Sequence, residues 1–511
     1  MSPALAEALG DLPPLLRAHL LISFAAIGIG VLIGLPAALW SADHPRARVP
    51  ILGLASLVQT IPALALLALF YPMLLIVRQA TGADVPALGF LPALIALSLY
   101  ALLPILRNAI AAQQGLDPAI VEAADGIGMT RRQRLLMVEL PLGAPVILAG
   151  IRTAAVWTIG AATLATTVGQ PSLGNLIFSG LQTENWIRVL VGCVAAAALA
   201  IIVDALLALI ETGVARRSRL RWGTGLGVLV AGVLAALVPA YGSATSGPSI
   251  VVGAKNFSEQ YILASAIETR LKASNYLTQR RDGLGSAVAY RAVAAGDIDV
   301  YVDYTGTLWT NVLGRSDTVP PERMLTELTA ALKARDGVTV LGRLGFENAY
   351  ALVMRRDRAG ALGIRTLADL TGAAPRLRLA SDLEFLSRPE WRAVASAYDL
   401  RFADQRSFSP TFMYRAIAEG SADVLSAFSS DGRIAALDLV TLADPKQALP
   451  NYDAVILLSR RAAADPALVA ALRPLVGAIP IERMRQANLM VDRDTDKRTP
   501  AEAAQWLIPA S

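Results

Sequence analysis

Cysteine and histidine are nearly absent from this sequence. Among its 511 residues there is one cysteine, Cys193, and there are two histidines, His19 and His44. A single cysteine excludes an intrachain disulfide, and so few of these side chains argue against a His/Cys metal site or a Cys/His nucleophile pair. The sequence also has no Gly-Lys pair, which the phosphate-binding loop of an ATPase requires. We therefore expect no metal and no cofactor, and ATP hydrolysis would belong to a separate protein.

Charged residues are also scarce, at 17%, whereas 54% of the residues are hydrophobic and the mean hydropathy is +0.50. The scarcity is uneven. Between Val49 and Leu106 the only side chains charged at neutral pH are Arg78 and Asp84, but acids and bases recur every few residues after Lys255. This contrast predicts a membrane-embedded first half and a soluble second half. The net charge of +5, without a clustered basic stripe, argues against a nucleic-acid partner.

Long apolar runs dominate the first half, and a helix needs about 20 mostly apolar residues to cross the hydrocarbon core. Several runs contain proline, which does not exclude them, because membrane helices tolerate proline where neighbours satisfy the freed backbone groups. The predicted spans are residues 16–40, 49–77, 88–106, 143–168, 187–210 and 222–241.

Arginine gathers in the loops "DHPRAR", "TRRQR" and "RRSRLR", which come after the first, third and fifth predicted spans. The positive-inside rule places these loops in the cytoplasm, so the chain after about Ser243 is expected on the extracytoplasmic side. The sixth span, with arginines before it and small residues after it, also has the pattern of a secretory signal peptide. A retained anchor and a cleaved signal remain open, and both would export the second half of the chain.

Ionisable residues within apolar spans are candidates for function, and Arg152 and Asp204 are two of these. Both lie within a few turns of the predicted cytoplasmic ends. Long side chains in such positions can reach the interface, and this simpler explanation is the one we favour from the sequence.

The second half alternates short β-branched runs with helical patterns. "SIVVGAK", "DIDVYVDY", "FENAYALVMR", "RLRLAS", "ADVLSAF" and "DAVILLS" are predicted strands, and a helix with Ser258 as its N-cap comes after the first of them. This pattern predicts an α/β fold with parallel strands, whose ligands usually lie at the carboxyl ends of the strands.

A polar stretch, "VEAADGIGMTRRQRLLMVELPLGAP", interrupts the apolar half. It predicts two short helices joined at a flexible point, because Gly126 and Gly128 permit a turn and Pro141 ends the second element. On composition alone it could be an ordinary solvated loop. However, it resembles the EAA loop of the permeases of bacterial ATP-binding cassette (ABC) importers, with Val138 as the one departure from the pattern.

The resemblance implies the fold of a type I importer permease, and it implies that the stretch docks into a groove of a cytoplasmic ATPase. "GIRTAAVWTIGAATLATTVGQPSLGNLIFSGL" is similar to the rest of the permease in the betaine/choline branch. The residues that the resemblance assigns to ATPase coupling are Glu122, Ala123, Ala124, Gly128, Leu140 and Pro141.

Motifs of the second half resemble the substrate-binding protein of the glycine betaine, choline and carnitine importers. They are "VGAKNFSEQYIL", "DVYVDYTGTLW", "ENAYALVMR" and "SAFSSDGRI". The family implies a two-lobed binding protein of type II and a quaternary ammonium ligand, which aromatic faces hold well. Tyr452 is a further aromatic candidate. The candidate ligand-binding residues are Asn256, Gln260, Tyr301, Asp303, Tyr304, Thr305, Thr307, Asn348, Tyr350, Phe428, Ser429 and Asp431.

Two departures bear on which ligand is bound. Asp303 stands where the family often has Glu, and Phe428 stands where it often has Tyr. Phenylalanine keeps the aromatic face but loses the hydroxyl group, so one hydrogen bond to the ligand is expected to be missing.

Taken together, the resemblances imply a permease domain at residues 1–215, a sixth span and linker at 216–248, and a binding domain at 249–511. Lobe 1 of that domain would comprise about 249–350 and 452–511, and lobe 2 about 351–451. The predicted function is ATP-driven import of a quaternary ammonium solute for osmoprotection, by a multi-pass protein of the bacterial inner membrane. The implied partners are an ATPase subunit, a second copy of the chain, membrane lipid and the small ligand.

Import of another betaine-type molecule such as ergothioneine stays open, as does a membrane-anchored sensor that binds the amine without transport. The sensor gives the EAA loop no role, and the cytoplasmic loops look too short for an output domain. An enzyme is not expected, because the sequence offers no plausible nucleophile-base pair or metal cluster.

Overall fold

The computed structural model describes residues 3–83, 85–183, 185–238, 249–315, 317, 319–408, 410–449, 451–493 and 495–508. The chain divides into two compact units. The helical unit comprises Ala8–Ile177 and Leu190–Ala244, and the two-sheet unit comprises Met1–Glu7, Phe178–Val189 and Thr245–Ser511. Residues 239–248, which include the end of the predicted sixth span and most of the predicted linker, lie outside the described residues.

Apolar helices make up the first half of the chain. Among the described residues, six helices are long and apolar enough to cross a membrane, which matches the predicted number. The helices are α1 (Pro3–Asp43), α2 (Pro45–Thr60), α3 (Ala63–Thr81), α4 (Phe90–Gln114), α5 (Pro118–Gly126), α6 (Arg131–Arg134), α7 (Leu140–Ala162), α8 (Gly174–Gln182), α9 (Trp186–Ala215) and α10 (Arg219–Leu237), with a π-helical turn at Leu135–Glu139 and a 3-10 helix at Thr163–Val168.

The predicted span at 49–77 is not one helix. Helix α2 ends at Thr60, Ile61 is extended (φ −76°, ψ 125°), and α3 begins after Pro62. The residue before a proline is pushed towards extended conformations, and the proline has no N–H for the helical ladder. Pro72 and Pro104, by contrast, lie inside α3 and α4. The break at Pro62 leaves Ala63–Thr81 as the segment of spanning length.

An ion pair joins α7 to α9. Arg152 Nε lies 2.5 Å from Asp204 Oδ1, and Arg152 Nη2 lies 2.8 Å from Asp204 Oδ2. Glu211 Oε2 is 3.5 Å from Arg152 Nη1. At 1.5 Å per residue, Arg152 lies roughly 18 Å along α7 from Leu140. The two residues therefore bind each other across two helices, a pairing that the sequence did not predict.

Two five-stranded sheets form the core of the two-sheet unit. Their strand orders are β2-β1-β3-β10-β4, which defines lobe 1, and β7-β6-β8-β5-β9, which defines lobe 2. The strands are β1 (Ser249–Lys255), β2 (Leu277–Leu284), β3 (Val300–Tyr304), β4 (Thr339–Glu347), β5 (Tyr350–Arg355), β6 (Arg378–Ser381), β7 (Asp404–Ser407), β8 (Val424–Phe428), β9 (Leu439–Thr441) and β10 (Asp453–Leu458).

Helices connect and cover these strands. They are α11 (Ser258–Ala273), α12 (Ser286–Ala295), α13 (Thr305–Thr307), α14 (Pro321–Asp336), α15 (Arg356–Leu362), α16 (Leu367–Leu370), α17 (Pro389–Tyr398), α18 (Pro410–Ala418), α19 (Arg433–Ala436), α20 (Arg460–Ala463), α21 (Pro466–Leu472), α22 (Ile481–Asp492) and α23 (Pro500–Leu507), with a π-helical turn at Leu308–Val312 and 3-10 turns at Ala374–Arg376, Phe385–Ser387 and Arg473–Leu475.

The sheets are mixed, so the predicted parallel strands are present together with antiparallel ones that were not predicted. β1 pairs in parallel with β2 and β3, but β10 is antiparallel to both β3 and β4. In lobe 2, β5 is antiparallel to β8 and β9. The antiparallel strands are those at which the chain passes from one sheet to the other, from β4 to β5 and from β9 to β10. A strand that enters a sheet from the other lobe need not run in the direction that a helical crossover imposes.

Ser258 does not cap α11 as predicted. The N-cap is Phe257, which makes no side-chain cap, and the Ser258 hydroxyl donates to Asp492 Oδ1 instead. The first turn of α11 is buried, with Ser258, Glu259 and Gln260 all at most 5% exposed. The start of this helix therefore points its polar side chains into the interior of the unit.

Candidate functional site

A cavity lies where the strands of both lobes end. β1, β3 and β6 run towards it and β8 ends at it, while β5 and β10, which are antiparallel to their neighbours, begin there. Ligand sites of α/β folds are expected at such strand ends. The residues that line the cavity are Lys255, Asn256, Phe257, Ser286, Tyr304, Thr307, Asn348, Tyr350, Asp382, Leu383, Glu384, Arg388, Phe428 and Tyr452.

Aromatic rings from both lobes form one wall of this cavity. Phe257 of lobe 1 stacks with Phe428 of lobe 2 at 5.9 Å between ring centroids, and with Tyr304 at 6.4 Å. Tyr350 lies 4.8 Å from Phe428 and makes an edge contact with Tyr452 at 5.7 Å. Because the rings contact each other, they offer a continuous electron-rich surface.

Lys255 brings a positive charge to the lobe 1 side of the cavity. Its Nζ lies 2.6 Å from Asp303 Oδ1 and 5.1 Å from the centroid of the Tyr304 ring. Asp303 is fully buried and Lys255 is 4% exposed. A buried charge needs a partner, and Asp303 supplies one to Lys255 at the cavity wall.

Arg388 brings a second positive charge, from lobe 2. Its guanidinium carbon lies 5.4 Å from the Tyr350 ring centroid, and Nη2 is 2.5 Å from Glu384 Oε2 and 3.3 Å from Ser286 Oγ. Burial lowers the pKa of Arg388, but Tyr350, Glu384 and Glu390 outweigh that effect and raise it above its ordinary value. Arg388 therefore carries a permanent charge against an aromatic face.

Glu259 lies beneath the aromatic wall, 3% exposed. Its carboxylate accepts hydrogen bonds from Tyr304 Oη at 2.5 Å, Ser430 Oγ at 2.5 Å, and the side-chain amides of Asn348 and Asn488 at 2.9 Å each. Burial raises the pKa of Glu259, and these hydrogen bonds oppose that rise.

Glu390, at the start of α17 in lobe 2, is 1% exposed. Its Oε1 accepts from Tyr452 Oη at 2.6 Å and from Thr310 Oγ1 at 3.1 Å, and Arg388 Nη1 lies 3.5 Å away. A buried glutamate from each lobe therefore contacts a tyrosine of the cavity.

The structure brings half of the predicted ligand residues together around the cavity. These are Asn256, Tyr304, Thr307, Asn348, Tyr350 and Phe428. Tyr452, the further aromatic candidate, lines it as well.

The other predicted ligand residues lie behind the lining and contact protein groups. Gln260 Nε2 donates to Tyr304 Oη at 3.0 Å, and Asp303 pairs with Lys255. Tyr301, fully buried, lies below Lys255 Nζ at 5.8 Å. The remaining contacts are those of Thr305 Oγ1 with Asn451 O at 3.1 Å, of Ser429 Oγ with Ala349 N at 3.0 Å, and of Asp431 with Arg433 at 2.9 Å.

Sequence reasoning did not select several residues that line the cavity. Lys255 and Phe257 belong to the quoted "VGAKNFSEQYIL" motif, but only its amide side chains were chosen. The others come after the predicted strand "RLRLAS" or begin a helix, and a search of every strand end would have found most of them. The full set is Lys255, Phe257, Ser286, Asp382, Leu383, Glu384 and Arg388.

The EAA-like stretch contains the predicted turn between two helices, of which only the first, α5, is short. Asp117 caps α5 and Thr130 caps α6 through a capping box with Gln133, and Gly128 between them has φ +80°. Glu122 and Ala123 are exposed and Ala124 is buried. The Ile127 side chain at the turn is 75% exposed.

Pro141 does not end the second helix of this stretch. α6 continues through the π-helical turn at Leu135–Glu139 into α7, and Pro141 lies in the first turn of α7. The stretch is therefore continuous with the long helix that carries Arg152.

Two family models match almost the whole chain. Residues 248–508 match the substrate-binding domain of the ABC-type glycine betaine transport system, and residues 30–216 match the inner membrane component of binding-protein-dependent transport systems. The chain belongs to the betaine-type ABC importer family, as a permease fused to its substrate-binding domain.

Curated relatives of this fused importer subunit are transport proteins. The ergothioneine transport permease/ergothioneine binding protein EgtU of Helicobacter pylori is 28% identical over 92% of this chain and 85% of its own. The choline transport system permease protein OpuBB of Bacillus subtilis is 39% identical over 38% of this chain and 83% of its own. The glycine betaine/carnitine/choline permease protein OpuCB of the same organism is 37% identical over the same shares.

The family and the six apolar helices make the fused importer subunit a multi-pass membrane protein. It is a transporter component and not an enzyme, and its family implies a separate ATPase partner and a small ligand.

Proposed function

We propose that the fused importer subunit captures a quaternary ammonium betaine between its two lobes on the extracytoplasmic side and imports it in a step driven by a partner ATPase. One observation carries this proposal. The same cavity joins an aromatic wall to the basic side chains of Lys255 and Arg388.

The aromatic wall suits a cation that cannot donate hydrogen bonds. A quaternary ammonium group spreads its charge over methyl groups and has no N–H, so aromatic faces hold it better than carboxylates with fixed geometry. Each such contact contributes about 0.5–2 kcal/mol, depending on how completely water is removed. Phe257, Tyr304, Tyr350, Phe428 and Tyr452 are the rings that line the cavity.

The basic side chains suit a carboxylate on the same ligand. An ammonium has three donors and a guanidinium has five, so Lys255 and Arg388 keep donors for a ligand beyond those that Asp303 and Glu384 receive. A zwitterion matches both halves of the cavity, whereas choline offers a hydroxyl group where the carboxylate would bind. We therefore expect glycine betaine, carnitine or proline betaine to bind more tightly than choline.

Transport is proposed to need two copies of the chain and two ATPase subunits, because each chain carries one permease domain. The ATPase would dock on the segment from Glu122 to Pro141, whose helices α5 and α6 present exposed side chains. Accumulation of a compatible solute for osmoprotection is the proposed purpose.

Ergothioneine is the second candidate ligand. The relative that matches this chain over 92% of its length is named for ergothioneine transport and binding. Ergothioneine is itself a betaine, so its trimethylammonium and carboxylate groups would use the same cavity surfaces.

Titration of the full chain in lipid nanodiscs tests both candidates. Glycine betaine, carnitine, proline betaine, choline and ergothioneine should be compared by calorimetry at one ionic strength. The proposal expects saturable binding of at least one carboxylate-bearing betaine and weaker binding of choline. Indifference to all five would overturn it, and choline binding as tightly as every betaine would remove the role of the basic pair. Uptake into proteoliposomes, with and without the ATPase and ATP, then tests the driven step.

A further inference from the structure

The buried glutamates Glu259 and Glu390 share a pattern of contacts that ligand binding alone does not require. Glu259, in lobe 1, holds the hydroxyl of the cavity residue Tyr304 and the hydroxyl of Ser430, which lies just after β8 in lobe 2. Glu390, in lobe 2, accepts from the hydroxyl of Tyr452, which precedes β10 in lobe 1. The hydroxyl of Thr310 after β3 shares its one proton between Glu390 Oε1 at 3.1 Å and Gly306 O at 2.9 Å. Each carboxylate thus joins a cavity tyrosine to the opposite lobe.

We propose that Glu259 and Glu390 are reciprocal latches, which hold the lobes closed and fix the cavity tyrosines Tyr304 and Tyr452 in the position that binds ligand. This inference rests on the proposed function only for the identity of the ligand. It makes both glutamates positioning residues, because they lie behind the rings and reach the ligand through them.

The latches exist only while the lobes are together. Ser430 lies in lobe 2 and Glu259 in lobe 1, so an opening that separates them breaks their hydrogen bond and exposes the carboxylate to water. The contact between Tyr452 and Glu390 would be lost in the same motion. Hydrogen bonds to a charged group in a buried site are stronger than neutral ones, so each contact favours the closed arrangement.

The cavity tyrosines depend on the same carboxylates. Tyr304 directs its ring to the cavity and its hydroxyl to Glu259, and Gln260 supports that hydroxyl from the other side at 3.0 Å. Asn348 also lines the cavity while its amide donates to Glu259. A shift of Glu259 therefore moves two groups of the cavity wall at once, which links closure to the shape of the site.

A double-mutant cycle on the ligand dissociation rate tests the Glu259 latch. Tyr304→Phe keeps the ring and removes only the hydroxyl, and Ser430→Ala removes only the contact from lobe 2. Among the described contacts, these two side chains meet only through Glu259. With glycine betaine as the probe, and ergothioneine in parallel, we expect each substitution to raise the dissociation rate constant roughly tenfold, the scale of one charged hydrogen bond. The double variant should fall well short of the product of the two.

The coupling between these positions should disappear when the cycle is repeated in a Glu259→Gln background. Tyr276→Phe is the matched control, because its hydroxyl also binds a carboxylate, that of Asp465, but within lobe 1. The control should leave the dissociation rate unchanged. Multiplicative effects in the native background, or the same coupling in Glu259→Gln, would overturn the Glu259 latch.

A distance measurement without ligand tests both latches even if none of the probes binds. Spin labels are placed at Lys272→Cys in lobe 1 and Glu419→Cys in lobe 2, both exposed, in a full chain with Cys193→Ser. Ser430→Ala combined with Thr310→Ala should shift the distance distribution towards longer, open separations, while Tyr276→Phe should not. An unchanged distribution sinks the latches. Failure of every ligand to bind, with a shifted distribution, sinks the ligand assignment alone.

Discussion

The helical unit and the two-sheet unit stabilise charged side chains in different ways. In the helical unit, Arg152 is matched directly to Asp204 and Glu211 on a neighbouring helix. In the two-sheet unit, Glu259 is held by neutral hydroxyl and amide groups, although Lys255 and Asp303 form an ion pair nearby. Apolar spans supply few neutral donors, so a charge there needs an opposite charge. A polar interior can instead supply one carboxylate with hydrogen bonds from several neutral side chains, which can belong to different elements.

The two arrangements are expected to serve different purposes. An ion pair such as Arg152 with Asp204 fixes two helices to each other, whereas a carboxylate such as that of Glu259, which accepts from several donors, connects different elements of the two-sheet unit. Transport, helix pairing and ligand capture should therefore fail independently when the residues that serve each of them are changed.

The largest expected effect is a loss of transport, which depends on the helical unit, without any loss of ligand binding by the two-sheet unit. Gly128 has φ +80°, which costs an L side chain roughly 1–2 kcal/mol, so Gly128→Val should distort the turn between α5 and α6. We expect ATP-dependent uptake in proteoliposomes to fall more than tenfold while ligand affinity stays the same. Glu122→Ala should act in the same direction, because it removes a side chain proposed to contact the ATPase.

The control for Gly128 is Gly160→Ala in α7, where an added Cβ meets nothing within 4 Å. It should transport normally. If Gly128→Val and Glu122→Ala also transport normally, the coupling role of this segment is excluded.

The next effect concerns the ion pair of the helical unit. Arg152→Leu leaves Asp204 without its main partner, and an unpaired charge at the centre of a spanning helix costs about 3 kcal/mol, less for a pair that is about a third exposed. Arg152→Leu should therefore lower the yield of folded protein and its uptake rate. The double variant with Asp204→Leu should recover part of both.

Thr153→Ala provides the control for that pair, because the Thr153 hydroxyl donates only to Ala149 O of its own helix among the described contacts. Size-exclusion profiles and uptake should match the native chain. A double variant as defective as Arg152→Leu would show that the charges act separately and not as a pair.

A smaller effect is confined to the two-sheet unit. Arg388→Met should weaken glycine betaine binding about tenfold, because it removes a charged donor from the part of the cavity that is proposed to bind the carboxylate of the ligand. Choline, which has no carboxylate, should lose much less. Calorimetry with both ligands checks this difference, and Arg392→Met, at an exposed position one helical turn away on α17, is the control. Equal losses for both ligands would assign Arg388 a structural role instead.

The charged residues of the helical unit were easier to predict from sequence than those of the two-sheet unit. The rarity of charge in the spans made Arg152 and Asp204 visible, but their pairing needed the packing of α7 against α9. The motifs located Tyr304, Asn348 and Phe428, and the fold class and number of apolar helices were confirmed. Glu259 and Glu390 stayed hidden, because charged residues are common in a soluble unit and nothing local marks a buried one.

The polar strands were also missed. β2 contains two arginines and an aspartate, and β7 consists of polar residues, so neither has the β-branched pattern that predicts a strand. Both lie at the edge of their sheets, where one neighbour suffices. The antiparallel strands were not predicted because local sequence does not record which sheet a strand joins.

The smallest expected effect is on the pH dependence of stability, to which the buried carboxylate of Glu259 contributes. Burial raises the pKa of Glu259 above its ordinary value near 4.5, so the folded chain binds its proton more tightly than the unfolded chain does. This contribution to stability is fully present below pH 4.5 and is lost as pH rises through the raised pKa. Glu259→Gln cannot titrate, so the ligand-responsive unfolding transition should vary less between about pH 4 and pH 7 than in the native chain.

Differential scanning fluorimetry at fixed ionic strength measures this slope, with Glu482→Gln on α22 as an exposed control. Identical slopes in the native chain and Glu259→Gln would mean that the hydrogen bonds from Tyr304, Ser430, Asn348 and Asn488 cancel the effect of burial.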